Sequence, residues 1–125
     1  MPGQLNQHEE ALTPLCHIVA ATGMLGYGVK EGESRAVLER LVPTGVPTAI
    51  IIDAGSTDSG PSKLALGSTT APRKAYLRDM TQLLRLVHEF RVPLIFSSAG
   101  GDGSDEHVRL MLEIIEEISN EPENA

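Results

Sequence analysis

Acidic and hydroxyl side chains directly follow a strongly apolar stretch in the middle of this sequence. Residues 50–52 are all isoleucine, Asp53 comes next, and residues 54–61 read Ala-Gly-Ser-Thr-Asp-Ser-Gly-Pro. Carboxylate and hydroxyl oxygens can hold a divalent cation or hydrogen-bond a substrate, and glycine lets backbone N–H groups approach a ligand closely. The segment therefore predicts a polar ligand site at the end of a buried strand.

Two further glycine-rich segments follow apolar runs, at residues 21–28 (ATGMLGYG) and 97–107 (SSAGGDGSDEH). If the apolar runs are parallel strands, their carboxyl ends share the edge where open α/β sheets bind ligands. We expect one pocket there for a small anionic ligand, such as a carboxylate or acyl thioester, held by N–H groups around Ser56, Gly100 and Gly101. The candidate ligand-binding residues are Gly23, Gly26, Asp53, Gly55, Ser56, Thr57, Asp58, Ser98, Gly100, Gly101 and Asp102.

The acidic residues of these loops each have two interpretations. Asp53, Asp58 and Asp102 are candidates to bind substrate hydroxyls or a divalent cation, and His107 is a further candidate metal ligand or general base. Alternatively, the aspartates brace their own turns and His107 is an exposed helix residue. Three carboxylates would repel an anion unless a metal or a base such as Lys63 intervenes. The sequence assigns no cofactor and no catalytic residue.

Short motifs give little support to a specific chemistry. The spacing Gly23-x-x-Gly26-x-Gly28 differs from the dinucleotide fingerprint G-x-G-x-x-G, so a plain tight turn is an alternative. The D-x-G-S-T run resembles the first phosphate loop of actin-like sugar kinases and ATPases, where residues 62–66 would return as a second strand. That superfamily normally begins with this strand, whereas a complete strand–helix unit precedes it here.

Three short apolar runs alternate with helical patterns along the chain. The predicted strands are residues 16–21, 48–53 and 92–98, and the predicted helices are residues 34–42, 72–90 and 104–119, the last with Ser104 as N-cap. The runs are continuously apolar, which is typical of parallel strands buried on both faces, so Cys16 is expected in the core. This order predicts a Rossmann-like three-layer α/β fold with a parallel sheet, and residues 54–71 are expected to form a long loop.

Three strands are fewer than an open α/β sheet usually has, so the domain is predicted to be incomplete. We expect a disordered leader over residues 1–15, the α/β half-domain over residues 16–119, and an acidic frayed tail over residues 120–125. The two unpaired sheet edges would be covered by self-association or by a partner chain that completes the sheet.

Composition narrows the classes of partner. The net charge is −7, and its imbalance falls in residues 102–125, where Arg109 is the single basic residue. With no basic patch and 3% aromatic residues, the sequence argues against nucleic-acid binding. It has no apolar run long enough for a membrane span and no secretory signal, and its one cysteine forms no internal disulfide, so we expect a cytoplasmic protein.

An ordered set of motifs resembles the N-terminal part of AtuA-like proteins. The set is TGMLGYG, DAGSTDSGP, LALGSTT followed by a helix with RDM, and PLIFSSAGGDGSDEH, within about residues 17–119. Ser59 differs from the family pattern, which has proline there. The family is named for acyclic terpene utilisation, the bacterial breakdown of citronellol and geraniol, and its members have several hundred residues. The resemblance implies an N-terminal portion with a role in the catabolism of terpenoid or related carboxylic compounds, and no catalytic residues to carry over. A non-catalytic binding module that uses an open sheet edge is the alternative.

Overall fold

The structure is a computed structural model that describes residues 12–56 and 59–124. Most of the expected leader and two candidate site residues, Thr57 and Asp58, lie outside the described residues. The strands are β1 (His17–Val19), β2 (Thr48–Asp53) and β3 (Leu94–Ser97), and the helices are α1 (Glu31–Leu41), α2 (Gly60–Leu66), α3 (Arg73–Phe90) and α4 (Asp105–Ser119). Short 3-10 turns form at Val42–Thr44, Ala99–Gly101 and Pro122–Asn124.

The three strands form one parallel sheet in the order β1-β2-β3, which confirms the Rossmann-like α/β fold. Val19 of β1 is in register with Ile50 of β2, and Ile50 in turn with Leu94 of β3. Because β2 is central, β1 and β3 each have one edge without a strand neighbour in the described part of the chain. All three strands run towards the same edge, and each is followed by one of the glycine-rich loops.

A single aliphatic core lies between one face of the sheet and the helices. Val19, Ile50 and Ile52 point into it from the sheet, and one stripe of each long helix packs against them. The helical core residues are Leu38 of α1, then Tyr76, Met80, Leu83 and Leu86 of α3, and Met111, Ile114 and Ile118 of α4. Each fully buried side chain of this kind contributes about 1.5–3 kcal/mol of transfer free energy.

The opposite face of the sheet is uncovered within the described residues. Ile18 is 63% exposed and Ile95 is 55% exposed, because alternate side chains of a strand point to opposite faces. The expected burial on both faces is therefore met on one face only. Cys16 is also exposed, contrary to expectation, since it precedes the short edge strand β1 instead of lying inside a longer one.

The segment expected to be a continuous loop, residues 54–71, contains helix α2. Pro61 occupies the first turn of this helix and Gly67, in the left-handed conformation, ends it. Residues 62–66 are therefore helical and do not form a second strand. Helix α2 has no buried residue, so its sequence lacks the apolar period that marks the longer helices.

The ends of the longer helices follow local chemistry. Helix α1 begins at Glu31, three residues before the expected start, where Glu31 and Glu33 favour the positive end of the helix. The prediction of Ser104 as an N-cap is confirmed, because its side-chain oxygen accepts a hydrogen bond from the N–H of His107 at 3.3 Å. None of the described helices is both long enough and apolar enough to cross a membrane.

Candidate ligand site at the carboxyl edge of the sheet

Backbone hydrogen bonds bring the loops at the carboxyl edge into direct contact. The N–H of Leu25 donates to the carbonyl of Asp53 at 2.9 Å, which joins the first loop to the end of β2. The N–H of Ala54 donates to the carbonyl of Ser97 at 3.0 Å, which joins the second loop to the end of β3. The loops are therefore parts of one continuous surface.

The first glycine loop is held by Asp79, a residue of α3 that is not among the candidates from the sequence. Its Oδ2 accepts hydrogen bonds from the N–H groups of Gly26 at 2.7 Å and Gly28 at 3.0 Å, and its Oδ1 accepts one from Nε of Arg78 at 2.9 Å. The Asp79 side chain is completely buried. Its position within the apolar stripe of α3, three residues after Tyr76, is the signal that could have revealed it.

Asp53 hydrogen-bonds within its own neighbourhood. Its Oδ1 accepts the N–H of Gly55 at 3.1 Å and the hydroxyl of Ser97 at 2.9 Å. Partial desolvation opposes ionisation, but the hydrogen bonds from Gly55 and Ser97 outweigh it and lower the pKa of Asp53. This carboxylate therefore braces the ends of β2 and β3, as one of its two interpretations predicted.

Asp102 and His107 form a buried pair next to the start of α4. Asp102 Oδ1 lies 2.7 Å from Nδ1 of His107 and accepts the N–H of Ser104 at 2.9 Å. Desolvation opposes ionisation of Asp102, yet the hydrogen bonds from Ser104 and His107 lower its pKa. His107 is 4% exposed, so the interpretation as an exposed helix histidine is wrong. Its Nε2 faces the carbonyl of Gly67 at 3.3 Å.

Several glycines at this edge allow loops to touch one another. A Cβ added at Gly26 would lie 2.6 Å from Cβ of Ala71, and one at Gly55 would lie 2.5 Å from Cβ of Ser98. A Cβ at Gly100 would lie 2.6 Å from Cβ of His107. Contacts this short would force the neighbouring atoms to move, so these glycines serve close packing between segments.

A cleft of about 690 Å³ lies beside the third loop, between residues 67–72 and the first half of α4. Its α4 wall consists of Glu106, His107, Leu110 and Glu113. Of the candidate residues from the sequence, His107 lines this cleft, and the nine candidate ligand-binding residues that the structure describes do not. A second cleft, of about 1040 Å³, lies near the amino end of β3 and is lined by apolar and charged side chains that include Leu84, Val87, Ile118, Arg35, Arg85 and Arg91.

Lys63 of α2 lies beside the third loop. Its Cγ would be 3.4 Å from a Cβ added at Gly101, so its aliphatic stem runs along that glycine. Within residues 12–56 and 59–124, no carboxylate lies within 4 Å of its ammonium group. From the sequence, Lys63 was expected as a positive charge that offsets the acids, and it lies near Gly101.

The candidate metal ligands do not form a cluster among the described residues. No group of three or more His, Cys, Asp or Glu side chains there is arranged to hold a metal ion. Asp53 lies at the β2–β3 end, whereas Asp102 and His107 pair with each other near α4. Asp58, the remaining candidate, lies outside the described residues.

Comparisons with known proteins add no relative to this picture. No protein-family model matches the chain, and no curated protein and no solved structure matches it either.

Proposed function

We propose that this chain is the N-terminal α/β portion of an AtuA-like protein and binds a small carboxylate or acyl ligand at the carboxyl edge of its sheet. The corresponding role is the catabolism of acyclic terpenoids or related carboxylic compounds. The ordered motifs TGMLGYG, DAGSTDSGP and SSAGGDGSDEH support this proposal. Each of these motifs follows a strand of one parallel sheet, at the edge where such sheets bind ligands.

The observation that carries the proposal is that three buried or loop aspartates at this edge, Asp53, Asp79 and Asp102, already have donors. Asp53 accepts from an N–H and a hydroxyl, Asp79 from two N–H groups and Arg78, and Asp102 from an N–H and His107. Hydrogen bonds of this kind delocalise and offset carboxylate charge, so these three residues repel an incoming anion less than free acids would. The repulsion expected from the sequence is thereby reduced.

Lys63 supplies the attraction in this proposal. An ammonium group is a compact point charge on a flexible stem, and it suits a carboxylate or a phosphate. Lys63 lies beside Gly101, and the hydroxyl of Ser98, which is close to Gly55, offers a further polar contact for the head of a ligand. The ligand would therefore place its anionic group between α2 and the third loop.

The second strand that an actin-like phosphate loop requires does not form here. The actin-like interpretation needs residues 62–66 as a strand that returns from the D-x-G-S-T turn, and these residues belong to helix α2. Gly60 and Pro61 start this helix directly after the polar segment. A carboxylate or acyl site is therefore proposed in preference to a nucleotide phosphate site.

An NMR titration of the full chain tests the proposed site. Citronellate, its coenzyme A thioester and uncharged citronellol serve as probes, and the readout is the amide shifts of Gly55, Gly100 and Gly101. We expect saturable shifts with the two charged probes and at least about tenfold weaker binding for Lys63→Met, since a charge-assisted contact is worth about 1.5–3 kcal/mol. Lys74→Met is the control, because Lys74 is exposed on α3 and should leave binding unchanged.

Two results would overturn this proposal. One is the absence of saturable shifts at these amides with any charged probe. The other is equal binding of the charged probes by wild type, Lys63→Met and Lys74→Met, which would exclude Lys63 as the cation of the site.

A further inference from the structure

Helix α4 has a buried stripe that faces the core and a second, apolar stripe beside it, of which Ile115 alone packs against the core. The first stripe is buried and consists of His107, Met111, Ile114 and Ile118. The second stripe consists of Val108, Leu112 and Ile115, which are four and three residues apart. Val108 is 41% exposed and Leu112 is 59% exposed. A helix on the surface of a globular domain usually needs one apolar stripe, so the second marks a candidate contact surface.

The second stripe points away from α3. Arg73 of α3 contacts Glu117 of α4, with Nη2 and Oε2 2.6 Å apart, which identifies the flank of α4 that faces α3. At about 100° of rotation per residue, Val108 and Leu112 lie on the opposite flank from Glu117. Helix α4 follows β3 and packs beside α3, so this outer flank lies on the side of the free β3 edge.

The free edge of β3 offers unpaired backbone groups next to that flank. The carbonyl of Pro93 accepts the N–H of Ile50 in β2, and the carbonyl of Ser97 accepts the N–H of Ala54, directly after β2. Along a strand of a parallel sheet, the N–H and C=O groups of every second residue point to the same neighbouring strand. The backbone groups of Ile95 therefore also point towards β2, and those of Leu94 and Phe96 point towards the free edge. Within the described residues no strand pairs with this edge. An edge with free N–H and C=O groups is a template for another strand.

We propose that the β3 edge and the outer stripe of α4 together form a two-fold symmetric interface with a second copy of this chain. In this dimer β3 pairs antiparallel with β3 of the second copy, and the two three-stranded sheets become one continuous sheet. Leu94 then lies opposite the partner's Phe96. The α4 helices pack antiparallel on the same face, since one axis perpendicular to the sheet relates both pairs of elements.

The apolar residues of α4 are self-complementary in this arrangement. With the axis near Leu112, this leucine contacts the partner's Leu112, and Val108 lies opposite the partner's Ile115. Leu112 is the most exposed of the three, and it would be at the centre of the helix pair. Interface centres in stable complexes are apolar and well packed, which fits this placement.

The charged residues of α4 also favour a second copy of this chain as the binding partner at this surface. Arg109 and Glu116 border the outer stripe, and in the same alignment Arg109 lies opposite the partner's Glu116. Neither residue has an ion pair within the described ranges. Residues 102–125 are otherwise acidic, so two α4 helices would repel each other unless Arg109, their one base, were paired across the interface. Symmetry creates this ion pair twice.

The other free edge, that of β1, fits a closed assembly less well. Strand β1 has three residues, and its pairing with β3 of another copy would leave a free edge at each end. Such head-to-tail contacts produce filaments unless their rotation completes a ring. The β3–β3 pairing closes with two copies.

Analytical ultracentrifugation of the full chain with charge-swap variants tests the interface. We expect a wild-type dimer, about tenfold weaker dimerisation for Arg109→Glu and for Glu116→Arg, and recovery to within about threefold of wild type in the double swap. Glu113→Arg is the matched control, because it changes the net charge as Glu116→Arg does but lies on the flank towards α3. Circular dichroism checks that each variant is folded.

Hydrogen exchange by NMR provides a second readout. Dimerisation should protect the amides of Leu94 and Phe96, whereas the amide of Ile95 should be protected at every concentration because it faces β2. The proposal is overturned by a wild-type chain that is monomeric at about 0.5 mM, by growth into filaments, or by a dimer that the charge swaps do not weaken. Weakening without recovery in the folded double swap would also refute the proposed alignment.

Discussion

The buried carboxylate of Asp79 is the side chain at the carboxyl edge whose removal should cost most stability. Asp79→Ala would remove the acceptor of the Gly26 N–H, which is buried, and of the Gly28 N–H, which is partly buried. Each unsatisfied buried donor costs about 1–3 kcal/mol, so we expect a loss of roughly 2–4 kcal/mol in the free energy of unfolding, measured in urea.

Arg78→Gln provides the control for this prediction. Arg78 is 55% exposed, so water screens its side of the pair with the buried carboxylate, and Arg78→Gln leaves both N–H donors of Asp79 in place. We therefore expect the loss for Asp79→Ala to be at least twice that for Arg78→Gln. Equal losses would show that the glycine loop does not depend on the backbone hydrogen bonds to Asp79.

The sequence predicted which residue types gather at this edge better than it predicted what they contact. Asp53 and Asp102 were placed in the correct loops, but their partners Ser97 and His107 depend on how two strands and a helix meet. Asp79 was missed because a single acid within an apolar helical stripe looks like an ordinary surface residue until the stripe is known to be buried. Tertiary contacts, and not local pattern, decide these roles.

At the level of elements, the first glycine loop packs tightly against the segment that leads into α3. A Cβ at Gly26 would lie 2.6 Å from Cβ of Ala71, whereas one at Gly28 would have no atom within 4 Å. Both glycines have positive φ, +102° and +111°, and both donate to Asp79. Gly28→Ala therefore reproduces the backbone strain of Gly26→Ala without its steric clash.

We expect Gly26→Ala to destabilise the protein by about 1–3 kcal/mol more than Gly28→Ala, because overpacking of a filled site costs about that much. Thermal unfolding of the two variants under identical conditions measures the difference. Equal destabilisation would mean that backbone conformation alone requires glycine, and that the loop does not pack closely on Ala71.

Elements with a strong apolar pattern were predicted well, and those without one were not. Strand β2 has the expected bounds, and α3 and α4 begin within one residue of expectation. Helix α2 was missed because its leucines, Leu64 and Leu66, are exposed and give no buried stripe. Strand β1 is shorter than expected, since an apolar sequence alone does not fix how far an edge strand pairs.

At the level of the whole molecule, the strands carry apolar side chains on both faces of the sheet, but the described helices cover only one of these faces. Val19 is 7% exposed and Ile18, next to it, is 63% exposed. Parallel sheets usually have helices on both faces. The small number of predicted strands already indicated that the domain is incomplete. Which face of the sheet is uncovered became known only from the register of the strands.

A pair of adjacent threonine substitutions in β1 distinguishes the two faces. Ile18→Thr should change the free energy of unfolding by no more than about 0.5 kcal/mol, because exposed side chains lose few contacts. Val19→Thr is nearly isosteric but buries a hydroxyl in the core, which costs about 1–3 kcal/mol. Urea unfolding of both variants measures these values, and Ile18→Thr should also reduce the fluorescence of bound ANS. If Ile18→Thr destabilised the chain as much as Val19→Thr, the face that carries Ile18 would be covered in solution.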